Sequence, residues 1–252
     1  MLDETDIKGQ VEQHYETLGR RAVEALRRNM IGAQYVPDEE QARSTVIGMI
    51  PEGCVVGIGD SVTLHQLDVV SYLQGSSKYQ VLNPFMRDPD GNLLMKPQER
   101  YDLFRKSLLT DVYITGTNAI TLDGKLVNVD GNGNRVAAMM YGPHKVIIVA
   151  GANKIVKDEA GARQRIKEIC APVNALRHLE KHRYASMAAL PCVKTGSCAD
   201  CKVPERICCF TVIIEYQRGY QPQAGDAESE AFAKATGTQR INVVLVGKSL
   251  GL

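Results

Sequence analysis

Five of the seven cysteines in this 252-residue chain, Cys192, Cys198, Cys201, Cys208 and Cys209, fall within eighteen residues, and Cys198 and Cys201 form a C-x-x-C pair. An odd count with no secretion signal in view argues against a disulfide framework and for a metal. Thiolates bind soft metals, and C-x-x-C places two sulfurs on one metal or on one face of a cluster. Zinc more commonly shows two such pairs. A single pair flanked by wider spacings suits the larger cube of a [4Fe–4S] cluster, with zinc as the alternative. The expected ligands are Cys192, Cys198, Cys201 and Cys208, on a polar loop that Gly196 and Pro204 let wrap around a shared centre. Cys209 is the spare, expected to point into the core because it abuts an apolar strand. Cys54 and Cys170 stand alone and read as inert core fillers.

Two further constellations could hold a ligand. Gly57-Ile58-Gly59-Asp60-Ser61-Val62-Thr63 is a strand ending in G-x-G-x-S before a helix, where backbone N–H groups approach an anion. It lacks the third glycine of a dinucleotide fingerprint, and a tight turn with Ser61 as helix cap is the plain structural reading. The second runs from Thr115 through Asn118 and Asp123-Gly124 to Asp130-Gly131-Asn132-Gly133-Asn134-Arg135. Asp123-Gly124 is a good hairpin turn, whereas the Asn134-Arg135 entry to a helix offers amides and a cation. The candidate ligand-binding residues are Gly57, Gly59, Ser61, Thr63, Asn118, Asp123, Asp130, Asn134 and Arg135, converging on one cleft with Arg135 as the cation. His65 and Asp68, one helical turn apart, read as a solvent-facing pair. His178 and His182 have zinc-compatible spacing but no H-E-x-x-H, and read as surface residues.

The elements that must position these residues alternate. A helix is expected over the first thirty residues, and another from Asp38, where D-x-x-Q to Gln41 resembles a capping box. Helices are also expected over Ser61–Leu73, Gln98–Leu108 and Arg135–Tyr141, and from Asp158 toward Arg183 with a bend at Pro172. Strands are expected at 54–58, 79–82, 112–114, 125–129, 144–149, 210–216 and 241–246. That order means a Rossmann-like α/β fold, a mostly parallel sheet with helices on both faces, whose ligands sit beyond the carboxyl ends of the strands. A polar, Gly/Pro-containing stretch, Arg218 to Gly225, is the other shift in composition.

Hydrophobic residues make up 44% of the chain and charged residues 23%, which excludes a disordered or collagen-like chain. Thirty basic residues balance twenty-nine acidic ones, so no chain-wide field is there to hold nucleic acid or an anionic membrane. No apolar run approaches the ~20 residues of a membrane helix. The expectation is a soluble, cytoplasmic protein.

The stretch TGTNAITLDGKLVNVDGNGNRVAAMMYGPHKVIIVAGANKIV at 115–156, with GDSVTL at 59–64 and RINVVLVGKSLGL at the end, resembles the LUD domain of lactate-utilisation proteins. The resemblance covers most of 35–252 and is closest to a subgroup with a cysteine-rich C-terminal segment. It implies a NagB/RpiA/CoA-transferase-like fold over 35–252, with a metal loop at 190–209 and a helical segment over 1–34. It also implies an enzyme or enzyme subunit that binds a small anionic metabolite next to an iron–sulfur cluster, oxidising a 2-hydroxy acid such as lactate. An electron-transfer protein and a second copy of the chain stand as candidate partners. The same stretch looks distantly like sugar-phosphate isomerases, but Asn118 replaces their acidic residue, and the transferase glutamate has no counterpart. An isomerase- or transferase-like enzyme with structural zinc, and a non-catalytic binding subunit, are the alternatives.

Overall fold

The computed structural model describes residues 4–218, 225–230 and 239–252; most of the polar stretch 218–225 lies outside them. The first amphipathic run forms α1 (Lys8–Arg28), which buries Ala22, Val23 and Leu26 and keeps Arg20, Arg21, Arg27 and Arg28 outward. It leads into β1 (Gly32–Val36), so residue 34 lies within a strand. Asp38 caps α2 (Glu39–Gly48), its carboxylate accepting from the Gln41 amide at 2.8 Å. Then follow β2 (Val55–Ile58), α3 (Val62–Gln66), α4 (Val69–Gly75), β3 (Gln80–Leu82), α5 (Pro97–Lys106) and β4 (Val112–Thr115). The single helix expected over 61–73 is two helices, because Asp68 takes a left-handed conformation (φ 52°) and pairs with Arg43 instead of His65.

Past β4 the chain runs through β5 (Ala119–Thr121), β6 (Leu126–Asp130), α6 (Asn134–Met140), β7 (Lys145–Gly151) and β8 (Ile155–Val156). It continues as α7 (Glu159–Arg165), α8 (Ala171–Glu180), α9 (Pro191–Thr195), β9 (Phe210–Ile214) and β10 (Ile241–Val246). Six strands form a wholly parallel sheet in the order β1-β10-β7-β4-β2-β3. Alternate residues of β7 feed two cores. Ile147 and Val149 pack with α2, α3 and α4, whereas Val146, Ile148 and Ala150 pack with α1 and α6. A central strand covered on both faces reads as the unbroken apolar run it is.

The expected strands at 125–129 and 210–216 do not join that sheet. With β5 and β8, which are too short to signal themselves, they build a second sheet in the order β8-β5-β6-β9, mostly antiparallel. Asp123-Gly124 is the β5–β6 hairpin turn. Gly124 sits at φ 88°, and a Cβ there would meet the α1 backbone of Ala25 at 2.5 Å. The helix from Asp158 is interrupted by a wide π turn, Ile166–Cys170, just ahead of Pro172, which has no N–H to give the preceding turn.

Candidate functional site

Only three residues, Gly116, Thr117 and Asn118, carry the chain from the carboxyl end of β4 in the parallel sheet to β5 in the second. A Cβ on Gly116 would lie 2.7 Å from the Ser61 hydroxyl, so the two strand-end loops touch. Each carbonyl of this turn accepts from a different cation. Arg135 donates to Gly116 O at 3.1 Å, Lys154 to Thr117 O at 3.2 Å, and Arg165 to Asn118 O at 2.7 Å. Lys154 and Arg165 are 4% and 7% exposed. Asp130 pairs with Arg135 at 3.3 Å, but among the described residues no carboxylate pairs with Lys154 or Arg165.

A cavity of about 410 Å³ opens beside this turn, lined by Ser61, Asn118, Asp130, Asn134 and Arg135 from the expected set. Gly57, Gly59, Thr63 and Asp123 do not line it. Gly57 and Gly59 lie where strands approach closely, since a Cβ would meet the Tyr113 ring at 2.8 Å or Thr115 Oγ1 at 2.5 Å. Thr63 is buried behind Lys154, whose amine donates to its hydroxyl at 3.3 Å. Asp123 is at the far hairpin, exposed, bound to the Thr121 hydroxyl and Lys125. Ser61 precedes α3 but makes no side-chain cap.

Arg135 is not a free cation. Besides Gly116 O and Asp130, it donates to Asn128 Oδ1 at 2.8 Å, Asn118 Oδ1 at 3.0 Å and Val129 O at 2.8 Å. Asp130 accepts from the Asn132 and Gly133 amides, and Gly133 at φ 82° turns the chain into α6. Lys154, which like Arg165 pairs with no carboxylate among the described residues, ends Gly151-Ala152-Asn153-Lys154, a strand-end lysine visible in the sequence but without a motif. Burial, then the positive charge of Arg165, push its amine down to about 7, with a lesser push from Arg135.

The opposite wall comes from α8 and the residues after it. Arg177 grips Asp60 with both terminal nitrogens, at 3.0 and 2.8 Å. Burial would raise the Asp60 carboxyl, but the Arg177 hydrogen bonds and charge outweigh it and hold it low. His178 and His182 are half-buried in this wall, contrary to the surface reading, with their Nδ1 atoms 2.9 Å apart and Tyr184 stacked on His178. Burial first, then neighbouring arginines, lower them to about 4 and about 3, so both are neutral near pH 7. Arg87 lies over the Tyr184 ring. Six Lys or Arg side chains line the cavity against three acids, Asp60, Asp130 and Glu205.

Pro204 to Cys208 of the cysteine loop form a further part of the wall. The loop is not purely polar. Cys192, on α9, is buried with Met187 and Leu190, and Cys201, Val203 and Ile207 pack against them. Burial first, then the nearby Cys201 sulfur, raise the Cys192 thiol. Asp200, in the left-handed region at φ 47°, donates its amide to Cys198 Sγ at 3.5 Å. Arg206 donates to the Cys201 and Cys208 carbonyls. Four thiols on one loop, with a backbone amide on one sulfur and a guanidinium among them, are chemically suited to a soft metal or cluster. Among the described residues, however, no three His, Cys, Asp or Glu side chains are assembled as a metal-holding group. Cys209 is exposed rather than in the core, because β9 is the outer strand of its sheet and its first residues face solvent.

A six-stranded parallel sheet wrapped by helices, with a polar cavity at its carboxyl edge, defines a Rossmann-like α/β protein. Residues 19–223 match the model of the LUD domain, and the chain belongs to that family. One similar solved structure is the crystal structure of a DUF162 family protein from Deinococcus radiodurans at 1.70 Å. It is 11% identical, covers 92% of this chain and 98% of its own, and has a TM-score of 0.45. No curated protein matches the chain. No described helix is long and apolar enough to cross a membrane.

Proposed function

We propose that this protein binds a small carboxylate metabolite of the 2-hydroxy acid or 2-oxo acid class, such as lactate or pyruvate, in the cavity beside Lys154. An iron–sulfur cluster would be held by Cys192, Cys198, Cys201 and Cys208 in the adjoining loop. When bound, such a cluster supplies one-electron exchange, which suits 2-hydroxy acid oxidation passed on to an electron-transfer protein. The observation that carries the anion site is the buried charge at the Gly116–Asn118 turn. Three cations meet there, and one of them has a carboxylate. Burying an ammonium without a counter-charge is costly, and a bound carboxylate supplies that charge while Lys154 supplies a donor. The basic wall draws an anion inward.

Calorimetric titration with lactate and pyruvate tests the anion site. Lys154→Met should weaken the better ligand at least about tenfold, or ~1.4 kcal/mol. Equal affinity in wild type and variant would overturn the site. The cluster has a separate readout in anaerobic visible absorption with iron, sulfide and zinc analysis. Wild type should be brown, and Ser at Cys198 or Cys201 should abolish the colour while Ser at Cys54 leaves it. A colourless protein with one tightly held zinc would replace the cluster with a structural site and favour an isomerase- or transferase-like enzyme.

A further inference from the structure

We infer that the ligand of this cavity is dianionic: a 2-oxo or 2-hydroxy acid whose far end carries a second oxyanion group, received by Arg100 with Arg87 and Tyr184. The ligand's first carboxylate is the one proposed above for Lys154, a reading on which this one rests.

The cavity has more room and more positive charge than a three-carbon acid uses. At roughly 30 Å³ per heavy atom, a water's share of its liquid, lactate or pyruvate fills less than half of the 410 Å³. Of the cations that line it, Arg177 is matched by Asp60 and Arg135 by Asp130. Arg206 is turned to the Cys201 and Cys208 carbonyls. Apart from Lys154, that leaves Arg87 and Arg100. Both are half-buried, and neither pairs with a carboxylate among the described residues.

These two arginines come from another side of the sheet edge than Lys154. Arg87 lies in the loop after β3, and Arg100 lies on α5, the helix that follows it. In the strand order, β3 is three places from β7, which is ~14 Å at ~4.8 Å per strand. Their side chains reach the same cavity as Lys154, so one ligand that meets both sides carries its charges several bonds apart.

The far wall is held in place by the protein itself. The Arg100 guanidinium lies over the Phe85 and Phe104 rings, 5.6 and 5.0 Å from their centroids, and its Nε donates to Pro84 O at 3.0 Å. Its two terminal nitrogens have no protein partner among the described residues. Together they form a planar fork that matches two oxygens of a carboxylate or a phosphate. Arg87 donates to Gly91 O at 2.6 Å and to the Tyr184 hydroxyl at 3.0 Å. Tyr184 accepts there, which leaves its own proton to donate into the cavity that it lines. With these side chains already ordered, an arriving anion has little rotamer freedom to remove.

Calorimetric titration of the full chain with two matched pairs of ligands tests this. 2-Oxoglutarate is compared with 2-oxopentanoate, which lacks only the far carboxylate, and 3-phosphoglycerate with glycerate, which lacks the phosphate. In wild type the dianion of at least one pair should bind about tenfold tighter than its partner, and the pair with the larger ratio names the group as carboxylate or phosphate. Arg100→Met, which keeps an apolar contact for Phe85 and Phe104, should bring that ratio to about one, and Arg87→Met should lower it. The wild-type ratio is read without any variant. Ratios near one in both pairs, with Lys154→Met still weakening every ligand, would overturn the far site and leave the anion site at Lys154 standing. A large ratio that survives in both arginine variants would overturn the assignment to Arg100 and Arg87. Dianion binding that needs Arg100 but is unchanged in Lys154→Met would overturn the Lys154 site, and the two-ended ligand with it.

Discussion

Lys154 donates its amine to the carbonyl oxygen of Thr117 at 3.2 Å, joining the exit of β7 to the turn that leaves β4. The bond ties together two neighbouring strands of the parallel sheet at the edge where the cavity opens. It also places a charge-bearing nitrogen where no carboxylate among the described residues pairs with it.

That placement makes Lys154 a stability cost with a defined pH dependence. Its amine is lowered from 10.5 to about 7, so between those values the unfolded chain holds a proton that the folded one has released. Stability should therefore rise as pH climbs through this window, and the burial penalty should be full below about pH 7. Lys154→Met should be more stable than wild type near pH 6, with the gap closing toward pH 9. Urea unfolding at both pH values measures this. A gap that widens with pH would contradict the assignment.

Arg135 behaves differently. Its donors are committed to Gly116, Asn118, Asn128, Val129 and Asp130, so it holds the turn to β6 rather than waiting for a ligand. Arg135→Ala should cost about 3 kcal/mol in denaturant unfolding, because it leaves Asp130 and several buried acceptors unmatched. Arg135→Lys should recover little, since one ammonium cannot reproduce a planar fork. A loss under about 0.5 kcal/mol, the range of ordinary surface substitutions, would show that the network is dispensable.

The histidine wall predicts acid sensitivity. His178 and His182 are lowered from 6.5 to about 4 and about 3, chiefly by burial. Between pH 6.5 and about 3 the unfolded state binds more protons, so stability is lost as pH falls through that window. Asp60, held low by Arg177, adds to the same acid limb. Replacing both histidines with Asn should flatten the fall between about pH 6 and pH 4 without abolishing it. An unchanged slope in pH-dependent thermal melts would mean that the imidazoles are solvated.

Much of the fold is legible because its signals are local. The 3.6-residue periodicity of α1, the Asp38 cap and the apolar run of β7 declare themselves within a few residues, and strand–helix alternation implies a parallel sheet. Strand partners are not local. Lys125–Val129 and Phe210–Tyr216 read as strands, but nothing in either says that they pair with each other and leave the main sheet. The two-residue β8 and the three-residue β5 are too short to show a period of two.

The candidate site divides the same way. The strand-end loops and the residues Ser61, Asn118, Asp130 and Asn134 are marked by composition, since glycine, asparagine and aspartate gather where a parallel sheet ends. Arg165 lies in an unremarkable helix, and Lys154 follows a strand without a motif. Only the tertiary structure brings Arg135, Lys154 and Arg165 to three successive carbonyls, and only there does the mismatch of buried charge exist. Periodicity and caps reflect neighbours one turn apart along the chain. The burial that sets the charge of Lys154 depends on segments that meet when β4, β7, α6 and α7 pack together.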